Sequence, residues 1–148
     1  MRRALIIVAL AALGAVLAGC GGNGGRLSHD ELASRAGKIC AQQAQQVLKI
    51  PRGPATPENA AGYYGAVVGV VQQGVRKFHK LKPPKREDAT YKQLLNELDH
   101  NLDILRQLRA TAAAQLREQY VVALSNLHRS RLKIDALYKQ LDFSGCAG

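Results

Sequence analysis

The stretch EDATYKQLLNELDHNLDILRQLRA, residues 87–110, decides the fold. Tyr91, Leu95, Leu98, Leu102 and Leu105 recur at intervals of four and three. With about 3.6 residues per turn, that spacing sets them on one stripe of an α-helix. Leu94 and Leu108 widen the stripe. A half-buried strand would instead alternate by twos. The stretch holds no Gly or Pro and is rich in Leu, Gln, Arg and Glu, which favour helices. A helix with one apolar stripe gains most of its stability from tertiary packing, so the flanking sequence has to supply partners.

It supplies three. Downstream, Tyr120, Leu124, Leu127, Ile134, Tyr138 and Leu141 predict a further helix. No Gly or Pro separates the two, but a single rod from Asp88 to Leu141 would be about 80 Å long with its far half unpacked. A turn is therefore expected at Thr111–Gln115. Upstream, Pro83 and Pro84 end a helix carrying Tyr64, Val68, Val71, Val75 and Phe78. Its pattern is the weakest, because Gly62, Gly65, Gly69 and Gly74 each cost about 1 kcal/mol relative to Ala. Ala61, Gly65 and Gly69 share a face where a neighbouring helix could approach closely. Thr56 is its expected N-cap, with Pro57 at the first helical position. Before the Pro51–Pro57 break, the first helix carries Leu32, Ala36, Ile39, Cys40, Val47 and Leu48. Ser28 with Glu31 fits a capping box, and Leu27 with Leu32 a hydrophobic staple. Four amphipathic helices on short links predict an all-α, up-and-down four-helix bundle over residues 27–148.

Arg2 and Arg3 precede Ala4–Ala18, an apolar run broken only by Gly14. The run is shorter than the roughly 20 residues of a membrane span and has the build of a secretory signal peptide. It closes on Leu17-Ala18-Gly19-Cys20, which resembles the lipobox of bacterial lipoproteins. The resemblance implies that residues 1–19 are cleaved and that the Cys20 thiol carries a diacylglycerol. An ordinary secretory signal ending near a cysteine is the other reading. Two acyl chains, at about 0.8 kcal/mol per buried methylene, hold a protein on a bilayer durably. Gly21, Gly22, Asn23, Gly24 and Gly25 then form a flexible tether over residues 20–26. The expected location is the extracytoplasmic face of the cell membrane.

Without residues 1–19 the chain keeps 129 residues, enough for one domain with a core, and its formal charge falls from +10 to +8. Such a balance suits anionic partners, here phospholipid headgroups or wall polymers. Nucleic acid is not expected outside the cytoplasm. Lipidation of Cys20 leaves Cys40 and Cys146, which in an exported protein read as a disulfide, with two free thiols as the alternative. The bridge would close a loop of about 105 residues, worth roughly 4.7 kcal/mol of chain entropy. The tail Asp142–Gly148 would run back beside the first helix to make it. Gly37-Lys38-Ile39-Cys40-Ala41, the Pro83-Pro84 break and Leu141-Asp142-Phe143-Ser144-Gly145-Cys146 also resemble small exported helical proteins of high-GC Gram-positive bacteria. That likeness implies the fold and the disulfide, and no activity.

Reactive motifs are few. Glu97 and His100 form one Glu-x-x-His pair, whereas a di-iron bundle needs two such pairs and two further Glu residues. Glu31, Glu58 and Glu118 have no His three residues on. There is no Cys-x-x-Cys-His haem motif, and the one methionine is Met1. The serines show no nucleophile motif. No enzyme activity and no cofactor are expected.

The basic cluster Arg76, Lys77, Lys80, Lys82, Lys85 and Arg86 carries more information. Cations near a helix C-terminus complement its dipole, which is the plainer account. In an up-and-down bundle, however, this cluster shares a pole with the tether. The end of the fourth helix, with Arg129, Arg131, Lys133 and Lys139, is expected there too. Each cation near an anionic membrane adds about 1 kcal/mol. The sequence thus reads as a lipid-anchored envelope module with an interaction or structural role. The alternative is a bundle that binds a small ligand in a cavity between its second and third helices, beside Gly65 and Gly69.

Overall fold

Ser28 opens the first helix through a complete capping box. Its hydroxyl accepts the Glu31 N–H at 3.2 Å, and the Glu31 carboxylate accepts the Ser28 N–H at 2.9 Å. Leu27 and Leu32 both join the core behind it. The computed structural model describes residues 25–51 and 57–146. Four helices follow in order: α1 (His29–Leu48), α2 (Pro57–His79), α3 (Asp88–Ala113) and α4 (Arg117–Gln140). A 3-10 turn, Lys85–Glu87, leads into α3. There is no strand among the described residues. Pro57 starts α2 as its fixed φ favours, and Pro83-Pro84 separates α2 from α3. The expected cap, Thr56, lies outside the described residues.

Consecutive helices pack on one another and run antiparallel. Leu27 meets Lys82 while Gln43 reaches Val71, so α1 descends along α2. The Tyr91 hydroxyl donates to the Phe78 carbonyl at 2.8 Å, and Gly65 lies under the Arg109 side chain farther up. Asn101 and Ser130 pair α3 with α4. This is the expected all-α bundle.

The turn between α3 and α4 falls at Ala114–Leu116, inside or beside the expected segment. It is made without Gly or Pro. Gln115 adopts φ 56°, the left-handed conformation. The Leu116 N–H then donates to the Thr111 carbonyl at 2.9 Å and the Gln115 N–H to Ala112 at 3.1 Å. That double bond is a Schellman cap, in which Gly is the usual left-handed residue. A side chain there costs about 1 kcal/mol. Gln115→Gly should therefore raise the melting temperature by about 3 °C; a decrease would show that Gln115 makes compensating contacts.

The core divides into two clusters. The first draws on all four helices and the tail, with Leu32, Phe78, Tyr91, Tyr138 and Phe143 at its centre. The second is built by α2, α3 and α4 alone, from residues such as Val68, Leu105, Tyr120 and Leu127. Helix α1 drops out because its second half, Ala41-Gln42-Gln43-Ala44-Gln45-Gln46, offers no large apolar side chain. Leu48, expected on the core stripe, is 82% exposed, and Val47 is only half-buried. On α4 the core position is Ala123, fully buried, rather than the expected Leu124. The close approach to α2 occurs at Gly74, where a Cβ would collide with the Gln43 side chain of α1. Of the expected small-residue face, Gly65 meets the Arg109 side chain of α3, while Gly69 faces open space.

Candidate functional site

Helix α4 also ends in a Schellman cap. Asp142 takes φ 52°, the Phe143 N–H donates to Tyr138 at 2.8 Å and the Asp142 N–H to Lys139 at 3.2 Å. The cap reverses the chain and drives Phe143 into the core between Tyr91 and Tyr138. The tail then crosses α1 at Gly37, where a Cβ on Gly145 would stand 3.0 Å from the Gly37 Cα. That crossing brings Cys146 to Cys40, with Cα atoms 5.3 Å apart and the sulfurs bonded. The Tyr138 hydroxyl lies 3.9 Å from the Cys40 sulfur, and burial raises its pKa above the usual tyrosine value. The expected disulfide and the returning tail are both present.

The pole next to this bridge holds the basic cluster. Arg76, Lys77, Lys80, Lys82, Lys85 and Arg86 are all exposed. Arg86 pairs with Glu87 at 3.2 Å, and Lys77 donates to Gln42 at 2.8 Å. Among the described residues, Arg76, Lys77, Lys80, Lys82 and Lys85 make no ion pair. The first described residues are bonded directly to this linker. The Leu27 N–H donates to the Lys82 carbonyl at 2.8 Å, and Lys82 Nζ lies in van der Waals range of a Cβ built on Gly25. Arg26 donates to the Pro83 carbonyl at 2.8 Å and pairs with Asp88, while His29 Nδ1 stands 3.1 Å from Glu87. Cys20 lies outside the described residues.

Three cations expected at this pole are elsewhere. Arg129 is eleven residues before Gln140, about 17 Å up the helix, where it donates to Asn126 at 2.6 Å. Lys133 stands 3.9 Å from Glu97, and Arg131 lies on a pocket wall. Only Lys139 of that set is at the α4 terminus. Placing all four at the end overlooked the rise of 1.5 Å per residue.

Glu97 and His100 lie on the α3–α4 groove beside Asn126, Arg129, Ser130 and Lys133. Among the described residues no three His, Cys, Asp or Glu side chains gather to hold a metal ion. Below the groove, Asn101 donates to the Ser130 hydroxyl at 3.1 Å, both side chains buried. This polar pair was missed, although Asn101 and Ser130 occupy helical spacing with Leu98 and Leu127.

A pocket of about 340 Å³ opens where α1 leaves the core. Its floor is Val67, Leu105 and Leu127, and its walls include Val47, Tyr63, Tyr64, Leu124, His128 and Arg131. It therefore sits between the end of α1, α2 and α4, with α3 beneath. Gly65 and Gly69, beside which a cavity between the second and third helices was expected, do not line this pocket: Arg109 lies over Gly65, and Gly69 faces open space. No helix among the described residues is long and apolar enough to cross a membrane. No family model, curated protein or solved structure matches the chain.

Proposed function

We propose that this protein is a lipid-anchored, non-enzymatic module of the bacterial envelope, held by acyl chains on Cys20 and resting its basic pole on anionic headgroups. The observation that carries the reading is the hydrogen bonding of Arg26 and Leu27 to the linker that bears the unpaired lysines, with Gly25 beside Lys82. Gly25 is five residue steps from Cys20, a reach of at most about 17 Å when extended. An anchor at Cys20 thus keeps the cluster within about two Debye lengths of the bilayer. Each cation near such a surface contributes about 1 kcal/mol, screened by salt. The disulfide and the packed tail tie α1 to the chain that follows α4. Its role is that of an interaction or structural component, and no reaction is assigned to it.

Vesicle binding tests the reading. A chain beginning at Gly21 should bind vesicles containing phosphatidylglycerol in low salt and release in high salt. The triple variant Lys80→Gln/Lys82→Gln/Lys85→Gln should bind on the order of 100-fold more weakly, from about 3 kcal/mol lost. Equal binding to neutral vesicles, or none to either kind, sinks the headgroup contact. Fractionation of cells expressing Cys20→Ser tests the anchor separately: retention of the variant in the membrane fraction would refute it.

A further inference from the structure

The pocket between the end of α1, α2 and α4 has a different chemistry from the basic pole. Its floor is aliphatic, and Val67, Leu105 and Leu127 are each nearly inaccessible at its base. Its mouth carries one permanent cation, Arg131, with His128 one turn before it. No carboxylate lines the pocket, and Arg131 makes no ion pair among the described residues. Asp135, one turn further along α4, is the nearest acid on that helix and does not pair with it. Tyr63 and Tyr64 stand edge to face with ring centroids 5.3 Å apart and line the same pocket as Arg131. A volume of about 340 Å³ lies at the small end of the range that holds small molecules, about 300–1,000 Å³.

An aliphatic floor below a lone guanidinium selects a ligand with an apolar chain and a negative head. We infer that the pocket binds a single-chain aliphatic carboxylate, with the carboxylate on Arg131 and the chain along Val67, Leu105 and Leu127. The guanidinium presents a fork of N–H donors that matches a carboxylate in a bidentate pair. Burying the chain against the floor supplies most of the affinity, since each methylene removed from water is worth about 0.8 kcal/mol. A neutral or cationic head of the same chain length gains the floor and loses the fork.

Titration of the folded chain with sodium decanoate, decanol and decylamine, each below its aggregation concentration, tests this by amide chemical-shift mapping. Decanoate should shift Val67, Leu105, Leu127 and Arg131 and bind at least tenfold more tightly than decanol or decylamine. Arg131→Gln, at an exposed position, should weaken decanoate about tenfold and leave decanol unchanged. Val71→Trp, which fills the pocket, should abolish binding of both. Equal affinity for the three probes, decanoate binding that survives Arg131→Gln, or shifts confined to the basic pole would each overturn the assignment. Because the basic pole and the pocket use different residues, loss of vesicle binding in the lysine variants leaves this result unaffected.

Discussion

Reduction of the Cys40–Cys146 bond, or the double variant Cys40→Ser/Cys146→Ser, should destabilise the protein by about 3 kcal/mol and lower its melting temperature by about 10 °C. The bond spans 106 residues, so in the unfolded chain it removes the freedom of nearly the whole folded part. In the folded protein it ties α1 to the tail that follows α4. That tie matters because α1 has little else on that side: beyond Cys40 its side chains are mostly exposed. Thermal unfolding with and without reductant measures the effect, and intact mass should rise by two hydrogens on reduction. An unchanged transition would mean that the tail and α1 hold together without the bridge.

Phe143→Ala should cost about 3–5 kcal/mol, as truncation of a fully buried aromatic does. Phe143 is 1% exposed and packs its ring against Tyr91 and Tyr138 at 6.4 and 6.3 Å. It also holds the tail in place to present Cys146. The two changes therefore act on one unit. Combined with Cys40→Ser/Cys146→Ser, Phe143→Ala should cost measurably less than the sum of the separate effects. Chemical denaturation of the four chains of this cycle measures the coupling. A loss below 1 kcal/mol for Phe143→Ala alone would show that the tail is not part of the core.

The contrast between α3 and α4 shows why some elements were legible in the sequence. Every residue on the Tyr91–Leu108 stripe is buried or half-buried, because α3 lies between α2 and α4 and its stripe has neighbours on both sides. On α4 the same periodicity admits Ala123 or Leu124, and composition alone favours the larger residue. The structure buries Ala123, since α3 comes close on that side, and leaves Leu124 on the wall of the pocket. Likewise Val47 and Leu48 continue the apolar period of α1, but Val47 only borders the pocket and Leu48 is exposed. Periodicity reports which residues share a face. It does not report whether a partner covers that face along its full length.

The sequence by itself determined four helices, their order and the capping box at Ser28, and it offered Cys40 and Cys146 as a pair once Cys20 is set aside. These follow from local spacing, Pro and Ser at helix boundaries, and a count of cysteines, none of which needs a distant contact. Tertiary structure alone decided where the charges stand and where the cavity opens. Arg131 was expected at the tether pole and instead lines the pocket with Tyr63 and Tyr64, a neighbourhood that the packing of the helices creates. The α3–α4 turn lacked its usual signal, since Gln115 holds the left-handed position that Gly would hold at lower cost. The pocket exists because a glutamine-rich half-helix cannot follow the core, a consequence of packing that no single stretch of the chain encodes.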